Sequence, residues 1–246
     1  MSHAAISDPE ELRTVFDKVW QQEDAAALYS EGSFRRLDET PDSLFYKVTR
    51  FVEHIDPAAV NRLTKYHDAL LSLTRKEVQR PLDVLDLCSS WTSHAGKSGA
   101  DRQQVRRFAA LGMNAEELAA NPALTEPGVV QDLNANPKLP WRDGEFDLVL
   151  LQLSIDYLTR PAEVLREAAR VLRPGGSVHI SFSNRIFIDK ATAQWTGKPD
   201  IEHIEAAGDF IKLAGGFELP PRAQDLSPKA GRGADPLYVV SATTVR

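Results

Sequence analysis

Short runs of apolar residues alternate with polar and helical stretches from about residue 80 onward. Their length and continuity are typical of strands buried on both faces of a parallel sheet. The runs occupy residues 82–88, 108–111, 129–130, 146–153, 178–182 and 237–243. Asp143-Gly144 and Pro174-Gly175-Gly176 are turn signals between runs, and 161–172 has helical spacing. Strands alternating with helices predict an α/β fold with ligands at the carboxyl ends of the strands.

The first third of the chain has a different pattern. Ser7 and Glu10 have the spacing of a helix capping box, and an apolar stripe follows that predicts a helix ending near Ser30. Residues 31–56 are polar and irregular, and a second helix is predicted over 57–73. We therefore divide the chain into a helical extension, residues 1–78, and an α/β domain, residues 79–246.

Composition limits the possible functions. The 246 residues carry a net charge of −6, which argues against a broad nucleic-acid surface. No apolar run is long enough to span a membrane, and the N-terminus lacks the pattern of a secretory signal. Cys88 is the single cysteine, which favours a reducing, cytoplasmic environment. The six histidines show no spacing suited to a metal site, so we expect none.

Three segments follow one another along the chain: VLDLCSSWTSH (84–94), VVQDLNANPKLPWRDGEFDLVLLQLSIDYL (129–158) and EVLREAARVLRPGGSVHISFSN (163–184). In this order they resemble the type 11 group of class I S-adenosylmethionine-dependent methyltransferases. The resemblance implies a Rossmann-like, mostly parallel seven-stranded sheet with an antiparallel last strand. It also implies S-adenosyl-L-methionine as the cofactor, with helices on both faces of the sheet and the extension as a lid.

The loop after the first strand departs from the family pattern. The family has glycines there, which let the backbone approach the cofactor, whereas this chain has Cys88, Ser90 and Thr92. The resemblance assigns Asp86 to ordering this loop. Hydroxyls of Ser89, Ser90 and Thr92 are candidates to replace the glycine contacts, and Trp91 either packs on the ligand or fills the site.

The resemblance assigns further cofactor contacts to the next strands. Gly112 occupies the position of the family's ribose-binding acid, with Asn114 or Glu116 as nearby polar groups. Asp132 stands beside the expected adenine amino group, and Leu133 is its apolar neighbour. Gln152 ends the fourth strand.

The acceptor side is expected in the following loops. Asp156 and Tyr157 hold the positions that face methyl transfer in the family, and His94 is a candidate base or substrate contact. Ser183-Asn184-Arg185 is expected at the same rim, and Tyr46, Arg50 and His54 in the lid. The expected reaction is methyl transfer to a small molecule.

Two alternatives remain open from the sequence. One is a catalytically silent methyltransferase-like binding or scaffold protein, because the glycines are missing. The other is a nucleotide triphosphatase, since His94-Ala95-Gly96-Lys97-Ser98 ends like a phosphate-binding loop. That motif also requires a glycine where Trp91 stands, and its pattern is therefore incomplete.

Overall fold

A seven-stranded sheet forms the centre of the computed structural model, which describes residues 29–95, 103–227 and 234–245. The strand order is β3-β2-β1-β4-β5-β7-β6. β7 runs antiparallel to both of its neighbours, and the first five strands are parallel. The strands are β1 (Leu82–Ser89), β2 (Val105–Gly112), β3 (Val129–Val130), β4 (Phe146–Gln152), β5 (Leu172–Phe182), β6 (Arg222–Asp225) and β7 (Tyr238–Thr243). The predicted fold class is confirmed.

Helices cover both faces of the sheet. On one face, Leu85 and Leu87 of β1 belong to the same apolar cluster as residues of α4 and α5. On the other face, Leu82 and Val84 cluster with Leu71 of α2. This two-sided burial explains why the strands have continuous apolar sequences. The helices are α1 (Asp42–Phe45), α2 (Pro57–Val78), α3 (Ala115–Ala120), α4 (Pro161–Val171) and α5 (Asp200–Ala214).

Helix α2 begins and ends at clear local signals. The Asp56 carboxylate accepts hydrogen bonds from the backbone N–H groups of Ala58 and Ala59, at 2.7 and 2.9 Å. Pro57 occupies the first turn, and the helix ends at Gln79, which has a positive φ of 56°. The sequence pattern assigned α2 to the helical extension, but in the structure α2 packs directly against the sheet. The division at residue 78 stays a prediction.

Four of the labelled elements were missed by the sequence pattern. They are α1, α3, α5 and β6. Helix α5 is buried on more than one side, because the consecutive residues 206–211 are all buried, so its buried positions form no single stripe. The predicted turn at 174–176 lies within β5, where it interrupts the pairing with β4. The predicted helix that begins at Ser7 lies outside the described residues.

A segment in front of the sheet, residues 36–54, lies over the carboxyl ends of the strands, and we call it the cover segment. It is held by the connection between β5 and α5. There, the fully buried Lys190 Nζ lies 2.7 Å from the carbonyl oxygen of Thr40 and 3.2 Å from Asp42 Oδ1. Arg36 Nη1 lies 2.7 and 2.8 Å from the two oxygens of the Asp42 carboxylate. Among the described residues, no helix is long and apolar enough to cross a membrane.

Candidate active site

A cavity opens at the carboxyl ends of β1, β2 and β4, beneath the cover segment. The space open to the centre of a water molecule is about 140 Å³. Parallel strands place their carboxyl ends at one edge of the sheet, so loops distant in sequence meet there. The ten residues predicted to bind cofactor all belong to the wall: Asp86, Cys88, Ser89, Ser90, Trp91, Gly112, Asn114, Asp132, Leu133 and Gln152.

The loop after β1 keeps an unusual backbone despite its missing glycines. Cys88 has a φ of 54°, in the left-handed region that favours glycine, although it carries a side chain. His94 and Leu153, at φ of 44° and 51°, share this conformation and also line the cavity. Strained backbone of this kind is enriched at functional sites. Burial raises the pKa of the Cys88 thiol to about 12, so it is not poised as a nucleophile.

Asp86 organises the base of the loop. Its carboxylate accepts hydrogen bonds from Ser89 Oγ at 2.7 Å and from Gln152 Nε2 at 3.0 Å. Burial raises the pKa of Asp86 to about 6, although these hydrogen bonds, together with one from Ser93, oppose the shift. The contacts join the ends of β1 and β4, as expected of a residue that orders the loop.

Trp91 joins the loop to the cover segment. Its indole N–H donates to the carbonyl oxygen of Val52 at 3.1 Å, and its ring meets Phe51 edge to face at 6.3 Å. The tryptophan is therefore part of the wall, and a cavity remains beside it. This arrangement differs from a site filled by its own side chains.

The end of β2 offers no carboxylate. A Cβ on Gly112 would overlap the carbonyl oxygen of Ser89 and lie 3.2 Å from Leu118 Cδ2, so only glycine fits there. Asn114 uses its Oδ1 to cap α3 and its Nδ2 to reach the carbonyl oxygen of Tyr46 at 3.0 Å. Glu116 bonds to Thr49 and is not part of the wall.

The third strand supplies the expected acid. Asp132 Oδ1 accepts the backbone N–H of Asn134 at 2.8 Å, which shapes the turn after β3, and Leu133 is buried beside it. Asn134 in turn donates to Asp42 Oδ2 and to the carbonyl oxygen of Tyr157, both at 2.9 Å. This turn therefore connects the cofactor side of the cavity with the cover segment.

The predicted acceptor residues separate into two groups. Tyr157 and His94 line the cavity, and His94 Nε2 lies 3.3 Å from Glu53 Oε2. Asp156 does not line it: the side chain is 3% exposed and turned into the protein beside Tyr157. The expectation that Asp156 contacts the acceptor is corrected accordingly, because the short helix after β4 presents the neighbouring tyrosine instead.

The rim after β5 also differs from expectation. Asn184 and Arg185 are exposed and outside the wall, and Arg185 pairs with Asp235 at 2.7 Å. Phe187 lines the cavity instead, with its ring centre 5.2 Å from that of His54 and 5.9 Å from that of Tyr157. The lid residues Tyr46, Arg50 and His54 line it as expected. Phe187 has no local motif that distinguishes it.

Glu117 is another wall residue that the sequence pattern missed. It lies on α3, an element that was not predicted, and it lines the cavity. A helical assignment of 115–120 with Asn114 as its cap was the available signal, since it places Glu117 one turn beyond the end of β2.

The wall has the chemistry to hold S-adenosylmethionine. Gln152 Oε1 and Thr92 Oγ1 are buried without a hydrogen-bond partner among the residues that the structure describes, and both residues belong to the wall. Leu111, Met113 and Leu133 add apolar surface close to Asp132. A ligand with an apolar ring and several polar groups fits such a wall.

The two buried carboxyls whose pKa values are raised, Asp86 and Asp156, predict an unusual dependence of stability on pH. Burial raises the pKa of Asp156 to about 7, and Asp156 Oδ2 has no hydrogen-bond partner within the described ranges. From about pH 4 to pH 7 the folded state therefore binds more protons than the unfolded state. As the pH rises from the unfolded-state pKa of such a carboxyl to its folded-state pKa, the free energy of unfolding falls by roughly 1.4 kcal/mol per pH unit.

Asp156→Asn removes this titration, so its stability is expected to fall less than that of the wild type between pH 5 and pH 8. Urea unfolding at both pH values measures the difference. The exposed Asp225→Asn is the control, expected to follow the wild type. Parallel curves for Asp156→Asn and wild type would contradict a raised pKa at Asp156.

The strand order and the reversed β7 are the topology expected for class I methyltransferases. The profile of the methyltransferase domain family matches residues 95–180, beginning just after the loop whose glycines are replaced. The chain has the fold of class I methyltransferases, and over residues 95–180 it is similar to the methyltransferase domain family. This methyltransferase match supports S-adenosylmethionine as the cofactor class, as the resemblance implied.

Individual relatives match this methyltransferase-fold chain over parts of their length. The ubiquinone/menaquinone biosynthesis C-methyltransferase UbiE of Roseobacter denitrificans is 48% identical over 42 residues, 17% of each protein. The malonyl-[acyl-carrier protein] O-methyltransferase of Hahella chejuensis is 27% identical over 56% of this chain and 48% of its own. The chain thus matches less than half of these relatives' length.

Two solved methyltransferase structures align with this chain over most of its length. An S-adenosylmethionine dependent methyltransferase from Mesorhizobium loti aligns over 71% of this chain and 96% of its own, with 18% identity and a TM-score of 0.47. A geranyl diphosphate C-methyltransferase from Streptomyces coelicolor aligns over 72% of this chain and 76% of its own, with 11% identity and a TM-score of 0.46.

Proposed function

We propose that this protein binds S-adenosylmethionine in the cavity and catalyses methyl transfer to a small-molecule acceptor. The observation that carries the proposal is the open cavity at the carboxyl ends of β1, β2 and β4, whose wall contains all ten predicted cofactor contacts. A catalytically silent scaffold with a filled site is less consistent with that space. The methyltransferase match supports the same reaction class.

Residues of the cavity wall would have separate roles in binding the cofactor. Asp132 and Leu133 would hold the adenine, while Asp86 orders the loop after β1, whose Ser89 and Ser90 line the cavity. When bound, the sulfonium cofactor supplies an activated methyl group for displacement by the acceptor. The protein's contribution is to hold donor and acceptor in line and to exclude water.

The acceptor would lie between Tyr46, Tyr157 and Phe187, under the cover segment. These rings provide an apolar wall, and the enclosed volume favours a small molecule over a macromolecule. His94, paired with Glu53, is the group at this wall suited to hold a proton released by the acceptor. The Glu53 carboxylate, next to Nε2, would stabilise the imidazolium that results.

Thermal unfolding with titrated S-adenosylmethionine or S-adenosylhomocysteine tests cofactor binding. Ligand at 100 times its Kd is expected to add about 2.7 kcal/mol of stability, a rise in Tm of roughly 5–11 °C. Asp132→Asn keeps an oxygen for the turn but loses the charge, and is expected to weaken binding roughly 10-fold or more. No rise in wild-type Tm at millimolar ligand would refute the proposal.

The control is Asp225→Asn, which removes an acid outside the cavity and is expected to leave both Kd values unchanged. Comparing the ligand-free Tm of each variant with that of the wild type separates a loss of binding from a loss of folding. Transfer of labelled methyl groups to pooled small-molecule acceptors then tests turnover.

A further inference from the structure

The ribose of the proposed cofactor needs a hydrogen-bond acceptor that β2 does not supply. At Gly112 the carbonyl group of Ser89 occupies the space of a side chain, so no residue with a carboxylate fits there. Asn114 has both side-chain groups engaged in capping α3 and in contact with the cover segment. Glu116 lies outside the wall. The acid that lines the cavity from the helix after β2 is Glu117.

Glu117 is held in a defined position. Its Oε2 accepts a hydrogen bond from Ser90 Oγ at 2.5 Å, and its Oε1 accepts the backbone N–H of Arg50 at 2.7 Å. A carboxylate oxygen can accept two hydrogen bonds, so each of these two oxygens has capacity for a second donor. Throughout the part of the chain described by the structure, no lysine or arginine side chain forms an ion pair with Glu117.

We infer that Glu117 on α3 binds the ribose hydroxyls of the cofactor in place of an acid at the end of β2; this inference rests on the proposed function. A vicinal diol presents two O–H donors, and a carboxylate is the side chain that accepts both. The hydrogen bond from Ser90 Oγ holds the Glu117 carboxylate against the loop after β1, which lines the cavity. The carboxylate that binds the ribose is thus on helix α3 and not at the end of β2, where the Ser89 carbonyl group leaves no room for a side chain on residue 112.

A purely structural role makes a different prediction. Glu117 also joins the loop after β1 to the cover segment through Ser90 and Arg50. If that were its only role, removing the charge would weaken every ligand of the cavity by the same factor. A ribose contact instead weakens only ligands that carry the hydroxyls.

Calorimetric titration with two probes separates these roles. The probes are S-adenosylhomocysteine and its analogue that lacks the 2′ and 3′ hydroxyls. Wild type is expected to prefer S-adenosylhomocysteine roughly 10-fold or more, as for hydrogen bonds to a charged acceptor. Glu117→Gln is expected to lose most of that preference while binding the analogue as wild type does. Glu116→Gln, a neighbouring acid outside the wall, is the matched control and should keep the preference.

Each other outcome overturns the inference. Equal loss of both probes in Glu117→Gln assigns the residue a structural role, and an unchanged preference shows that another group binds the ribose; the proposed function survives both results. Wild type that binds neither probe overturns the inference together with the proposed function. If Glu117→Gln does not fold, Glu117→Asp replaces it: the shorter side chain withdraws the carboxylate from the ribose, and a preference equal to that of the wild type would overturn the inference.

Discussion

Asp42→Ala is expected to lower the free energy of unfolding by about 3–5 kcal/mol, because it leaves two buried cations without their shared carboxylate. Asp42 is 5% exposed and contacts Arg36, Lys190 and Asn134. Burial opposes its charge, yet Arg36, Asn134 and Lys190 hold the pKa of Asp42 below its ordinary value. Removal of the carboxylate leaves the Lys190 ammonium, which is fully buried, next to the Arg36 guanidinium.

Urea unfolding monitored by circular dichroism measures this effect. Asp38→Ala is the matched control: Asp38 also contacts Lys190, at 3.1 Å, but its side chain is 33% exposed, so a smaller change is expected. Equal losses for the two variants would show that the buried position of Asp42 has no special weight. Because Asp42 also lines the cavity, its loss should loosen the cover segment and admit water to the site.

Gly112→Asp is expected to destabilise the protein by about 3 kcal/mol or more, roughly 6–12 °C in Tm. The substitution would restore the acid that the family resemblance implies at this position. The aspartate Cβ, however, would overlap the Ser89 carbonyl oxygen, so β1 and β2 would have to separate where Ser89 pairs with Gly112. The expected result is therefore loss of stability without improved cofactor binding.

Thermal unfolding with and without S-adenosylhomocysteine tests this result. Gly32→Asp is the control, because a Cβ at Gly32 meets only Ser30 Oγ at an ordinary distance of 3.6 Å. A stable Gly112→Asp protein with tighter binding would contradict both the crowding at this position and the ribose contact assigned to Glu117.

The sequence alone determined the architecture and the place of the site. The apolar runs predicted six of the seven strands, all except β6, because a strand buried on both faces needs a continuous apolar sequence. Parallel strands bring their carboxyl ends together, so the motif positions after β1, β3 and β4 correctly located the cavity wall. These are properties of local sequence that hold wherever the fold forms.

The tertiary structure alone decided which side chains are available in the site. Asp156 and Tyr157 are adjacent in sequence, yet only Tyr157 lines the cavity, since the backbone after β4 sends them in different directions. The Asp42 and Lys190 pair joins residues far apart along the chain, and no local periodicity encodes such a contact. Glu117 became a candidate ligand only because packing at Gly112 excludes any side chain there. Long-range packing, which the hydrophobic pattern does not specify, set these three outcomes.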